Sequence, residues 1–195
     1  MSPKSLLLTA GLLLSGLTLA NGLNIASGTY TLDKTHGYIT FSYSHQGYSN
    51  PWLRFRDFDV TLELDTENLA ASTAEVSVDT ASIDTGVDEF DQHMVGERFF
   101  NVEAFPKASF TTTSVEMTGE RSMDLTGDLT IKGVTKPVTL AVKLNKTGQH
   151  FRSRKDMLGF SGTTSLKRSD FDLGYAVPMV GDEVAITVEV ELIKA

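Results

Sequence analysis

No residue among the 195 is cysteine, and that absence closes several routes together. Disulfides, thiolate zinc sites and thiol nucleophiles are excluded, so an exported fold of this sequence rests on core burial alone. Histidine is scarce, with four residues. No two have the i, i+4 spacing of a helical metal pair or the His-x-His spacing of a strand pair. Glycine-rich phosphate loops are missing. The nearest approach to a serine elbow is Gly159-Phe160-Ser161-Gly162, which is not G-x-S-x-G and falls inside an alternating run. Positive charge is also short: 17 Lys and Arg face 25 Asp and Glu, for a formal net charge of −8. So acidic a chain is a poor ligand for nucleic acid or for anionic lipid surfaces.

The first twenty residues read differently from the rest. Lys4 is followed by an apolar run from Leu6 to Leu19, and Thr18-Leu19-Ala20 places small residues where a signal peptidase cuts. The run is short for a membrane span and lacks a basic stop-transfer flank, so residues 1–20 are expected to be a signal peptide cleaved near Ala20. Removal of Lys4 takes the net charge from −8 to −9. Residues 21–195 are of a size for one domain with a sizeable core.

Within that domain the dominant pattern has a period of two. Leu125, Gly127, Leu129 and Ile131 alternate with polar residues, and so do Val138, Leu140, Val142 and Leu144. Gly133 and Pro137 lie between the runs, which predicts a β-hairpin with a loop of several residues and one apolar face. Other strands are expected at Tyr30–Leu32, Ile39–His45, Phe58–Leu64, Ala74–Val78, Ala108–Phe110, Leu158–Leu166 and Val184–Leu192. Leu53 and Phe55 have the wrong parity for the Phe58 strand, which predicts a bulge near Arg56. Asp88–Val95 breaks the alternation: acidic residues come first, Phe90 and Met94 share a face, and Gly96 ends it, which predicts a short helix. The expected fold is all-β, an extended antiparallel barrel of eight strands with a short helical insert.

Motifs in chain order sharpen this. Tyr30-Thr31-Leu32-Asp33 with His36, Phe41 to Gly47, Ile83-Asp84-Thr85-Gly86, Asp91-Gln92-His93-Met94, Phe99-Phe100-Asn101-Val102 and Leu125 to Leu140 together resemble the YceI-like, polyisoprenoid-binding family. Gly37, where a serine often follows the first histidine, and Pro51-Trp52-Leu53-Arg54-Phe55 depart from the pattern. The resemblance implies a lipocalin-like barrel whose apolar interior holds a prenyl chain. It also implies a periplasmic location and a homodimer as one available state.

The candidate ligand-binding residues are the inward-facing Ile39, Phe41, Tyr43, His45, Phe58, Val60, Phe110, Leu129, Ile131, Phe160 and Ile186. No catalytic or metal-binding residue and no resident cofactor is assigned. The expected partner is an isoprenoid lipid, for example through the tail of an isoprenoid quinone, with transient exchange at a membrane. Taken singly, each apolar residue is better explained as ordinary core, and the family resemblance is what tilts the set towards a cavity. Two other readings therefore stay open: an enzyme acting on an amphipathic substrate through His45, and an interaction protein with a filled barrel.

Overall fold

The computed structural model describes residues 23–195, so the expected signal peptide and its cleavage near Ala20 lie outside the described residues. The strands are β1 (Gly28–His45), β2 (Trp52–Phe55), β3 (Phe58–Leu64), β4 (Thr73–Asp79), β5 (Ile83–Asp84), β6 (Lys107–Met117), β7 (Ser122–Ile131), β8 (Val134–Gln149), β9 (Asp156–Lys167) and β10 (Val180–Lys194). Helix α1 spans Asp88–Val95. Each long strand pairs antiparallel with its neighbour in the order β10-β9-β8-β7-β6-β4-β3-β1, and β1 pairs with β10 to close the ring. The result is a closed barrel of eight strands, with β2 paired to β1 and β5 paired to β2.

Two expected strands prove to be one. Tyr30–Leu32 and Ile39–His45 are parts of the 18-residue β1. Against β10, Leu32 stands opposite Leu192 and Gly37 opposite Val190, so β1 carries a three-residue excess there. Those extra residues are polar and face water, which is why the alternation lapses between the two apolar runs. A Cβ at Gly37 would lie 2.9 Å from Leu32 Cδ1 and 3.0 Å from Phe58 Cζ, so the chain crosses the core wall there only without a side chain. On its other edge β1 meets β3 at Gly28–Thr31 and β2 at Ile39–Ser42. The irregularity expected near Arg56 is a break between β2 and β3, one that lets both Leu53 and Phe58 be buried.

The β7–β8 hairpin is tighter than its sequence suggests. Ile131 pairs with Val134, so only Lys132 and Gly133 form the turn, at φ of 49° and 77°. Two positive φ values suit the twist of a two-residue hairpin, and Gly133 takes the second without penalty. Pro137 is not loop but strand, opposite Asp128. It is tolerated because β8 pairs with β9 only from Ala141 onwards, leaving one edge of β8 free at Pro137.

One end of the barrel is closed by core. Tyr30, Leu158 and Leu192 are at most 2% exposed, and the Tyr30 hydroxyl donates to the Ala26 carbonyl at 2.6 Å. Each such fully buried aliphatic or aromatic side chain contributes about 1.5–3 kcal/mol. The other end is covered differently, by α1, the turns after it and the 3-10 turn Arg168–Phe171. A second cluster, Leu53, Ile83, Met94, Phe100 and Leu173, packs these segments onto the strand ends.

The excess residues of β1 hold an exposed ion pair. His36 Nδ1 lies 2.9 Å from Asp33 Oδ2 and 3.8 Å from Glu191 Oε2. Hydrogen bonds from His36 and Thr35 push the Asp33 carboxyl down to about 2, and the Asp33 hydrogen bond raises His36 above its ordinary value. With its pKa depressed, Asp33 contributes stability above pH 3.8 that is lost as pH falls towards 2. His36 contributes stability that is full below pH 6.5 and fades as pH rises through its raised value. The pair is therefore strongest between these limits. In His36→Ala the Asp33 titration, followed by the NMR shift of its carboxyl carbon, is expected to move up towards the ordinary carboxylate range. An unmoved titration would contradict the pairing.

Candidate ligand cavity

The inward faces of the eight strands do not meet in the middle. A cavity of about 240 Å³ runs through the core, walled by side chains of every barrel strand. That exceeds the roughly 150 Å³ at which an engineered apolar cavity stays dry and binds benzene. At the α1 end it adjoins a wider space of about 1040 Å³. Phe55, Ile131 and Ile186 line both, so the two spaces adjoin across these three side chains, and together they reach from the buried end to the mouth.

Among the candidate residues, Ile39, Val60, Phe110, Leu129 and Phe160 line the deep part. Phe41, Tyr43 and His45 line the mouth, while Ile131 and Ile186 stand at the junction. Phe58 lines neither; it is 3% exposed and packs where β1 crosses at Gly37. Leu62, Leu64, Val142, Leu144 and Val188 line the deep part too and were not singled out, although they share the parity of their strands. Gly162 also belongs to the lining, and a Cβ there would meet Val142, Leu140 and Val188 at ordinary distances of 3.6–3.8 Å.

The mouth takes its lining from segments without strand periodicity, which is why Phe90, Phe99, Leu173 and Tyr175 escape a search for alternation. Phe90 comes from α1, whose buried Met94 anchors it. The chain leading into α1 is held by Asp84, whose Oδ2 accepts from Arg54 Nε at 2.6 Å and Arg56 Nε at 2.9 Å. The Gly86 N–H donates to Oδ1 at 3.0 Å. These donors hold the Asp84 carboxyl far below the usual carboxylate range. Asp91 then accepts the Thr85 N–H at 2.7 Å, fixing the first turn of the helix.

Of the two spaces, only the mouth is lined by polar side chains other than serine and threonine: Tyr43, His45, Gln92, His93, Glu97, Arg98 and Arg168. Arg168 donates from Nε to the Gly181 carbonyl at 2.8 Å, from Nη1 to the carbonyls of Leu173 and Tyr175, and from Nη2 to that of Val180 at 3.0 Å. Arg168 thus ties the β9–β10 connection into a wall of the cavity. Burial lowers its pKa and raises that of Tyr43, which lines the same space. His45 and His93 both line the mouth, but His36 does not join them. Among the described residues no side chain hydrogen-bonds the His45 ring. Among the described residues the one group of potential metal-ligating atoms, Asp33, His36 and Glu191, lies outside both spaces, within the exposed ion pair.

A closed antiparallel barrel with one sealed end and an apolar passage opening at the other defines a lipocalin-like class of protein. Comparison with known proteins makes this specific. The YceI-like domain matches residues 30–192, and the chain belongs to that family. A UPF0312 protein of Ectopseudomonas mendocina is 39% identical over 171 residues, covering 85% of this chain and 87% of that one. The crystal structure of Burkholderia cenocepacia BcnA superposes with a TM-score of 0.75 at 25% identity, over 82% of this chain and 98% of that one. A polyisoprenoid binding domain from Saccharophagus degradans, implicated in plant cell wall breakdown, shares the fold at a TM-score of 0.66 and 17% identity. It covers 85% of this chain and 98% of that one.

Proposed function

We propose that the protein is a periplasmic, non-catalytic carrier or store of a polyisoprenoid lipid, held with its chain along the barrel axis. The observation that carries this is the apolar cavity in the barrel core, which adjoins a wider space at the mouth across Phe55, Ile131 and Ile186. A filled barrel has no such space. A prenyl chain suits it because each buried methylene-sized unit contributes about 0.8 kcal/mol without needing a polar partner. The wider mouth offers the Tyr43 hydroxyl as a hydrogen-bond donor to a head group bearing acceptors, such as a quinone. Family membership and the polyisoprenoid binding of the Saccharophagus domain support the same ligand class.

The test is denaturant unfolding of the protein with and without polyprenol. Ligand at about a hundredfold excess over its Kd is expected to add about 2.7 kcal/mol to unfolding stability. An unfolding midpoint that does not move at any polyprenol concentration would favour the filled barrel.

A further inference from the structure

Seven large hydrophobic side chains stand exposed on the described surface: Tyr38, Tyr48, Trp52, Val87, Phe151, Tyr175 and Met179. They are not scattered. Five of them, all but Tyr38 and Phe151, belong to segments that surround the mouth. Tyr48 lies in the loop whose Ser49 and Pro51 line the mouth, and Trp52 follows directly. Val87 precedes α1, which contributes Phe90. Tyr175 lines the mouth itself, and Met179 adjoins the lining residue Val180. Exposure is high: 88% for Tyr48, 62% for Trp52 and 69% for Met179. Away from the mouth lie Phe151, at the tip of the β8–β9 connection, and Tyr38, on the outer wall beside Gly148 and Met157.

We infer that this rim is a membrane-docking surface, on which the mouth rests against a bilayer while the prenyl lipid passes between membrane and barrel. The inference rests on the carrier reading above and adds the partner. A bilayer suits the rim better than a protein does. The apolar tips come from separate loops around an opening, rather than forming the continuous core of a protein interface. Tyrosine and tryptophan are the side chains that settle at a membrane–water boundary, with ring in the acyl region and polar atom among the head groups. A lipid leaving a bilayer for an apolar passage avoids water only if the mouth seals onto the surface.

Charge decides the kind of bilayer. Without residues 1–20 the chain is net −9, and Asp88, Glu89 and Asp91 stand in the first turn of α1 beside Val87, with Arg98 over the Tyr175 ring at the mouth. Docking is therefore driven by apolar insertion rather than by attraction to anionic lipid. It prefers zwitterionic surfaces and weakens little in salt.

Trp52 is the single tryptophan of the chain, so its emission reports the contact. With phosphatidylcholine vesicles the emission is expected to shift to the blue, and no more strongly when phosphatidylglycerol is added. Transfer of a fluorescent prenol from such vesicles to the protein is expected to slow about tenfold in the double variant Tyr48→Ser/Met179→Ser, which keeps Trp52. Affinity of that variant for the same prenol in vesicle-free solution should stay unchanged. Emission indifferent to vesicles, together with unaltered transfer in the variant, would overturn the docking surface while solution binding keeps the carrier reading. Loss of prenol binding in solution by the wild type would remove both. A change of oligomeric state in the variant, seen by sedimentation, would overturn the bilayer in favour of a second copy of the chain.

Discussion

Replacing Gly162 with leucine is expected to leave the barrel folded and to abolish most of its lipid affinity. Gly162 is buried in β9 between Val142 of β8 and Val188 of β10. The first carbon of a new side chain would meet its neighbours at 3.6–3.8 Å, ordinary contact, and the remaining carbons would extend into the space of about 240 Å³. Filling a void in this way adds buried apolar area, so unfolding stability should hold or rise. A prenyl chain would lose the volume of about four methylene-sized units, worth about 3 kcal/mol or roughly a hundredfold in Kd. Isothermal titration or quenching with a prenol measures the affinity, and urea unfolding measures the fold. A variant that binds as the wild type does would show that the chain does not pass Gly162. A variant that unfolds as an overpacked core does would show that the space is not open.

Gly127→Ala should do the reverse, costing stability first. Gly127 is buried in β7. An added Cβ would lie 2.4 Å from Phe110 Cζ and 2.5 Å from the Thr111 carbonyl oxygen. The ring could swing away into the passage, but the carbonyl belongs to β6 and moves only with the strand. β6 is already irregular between Thr112 and Ser114, where its register against β7 shifts. The expected loss is at the upper end of the 1–3 kcal/mol typical of overpacking, or about 3 kcal/mol. Gly148→Ala is the control: nothing lies within 4 Å of its Cβ position, and its effect should stay within about 0.5 kcal/mol. Equal unfolding midpoints for the two variants would contradict the close packing of Phe110 over Gly127.

The two glycines show what was legible in the sequence and what was not. Parity put Leu125, Leu129 and Ile131 on one face and Val138, Leu140 and Val142 on another, and all six line the deep passage. It placed Gly127 and Gly162 in the same rows without showing that one is a point of contact and the other a vacancy. That difference depends on which side chain stands across the barrel, a fact of closure rather than of local pattern. Helix α1 was legible to its end residues because acidic start, apolar face and terminal glycine agree. β1 was divided in two because its excess residues interrupt the alternation, and only pairing with β10 shows the strand to be continuous. Glu191 comes beside His36 through that same pairing, across more than 150 residues of chain. The mouth was the least legible part. Its lining from Leu173 and Tyr175 comes from a segment that has no period to read, and the helical period of α1 does not show that Phe90 turns towards the barrel.

We propose that the protein is exported and that a polyisoprenoid occupies its barrel. Native mass spectrometry of the protein isolated from the periplasmic fraction of its own host tests this most directly. The expected spectrum shows a chain beginning at or near Asn21, carrying one lipid that leaves on collisional activation. The fragment series of the released lipid should repeat at isoprene intervals. A full-length chain from the cytoplasm, or an exported chain that never carries lipid and takes none up from added polyprenol, would contradict it.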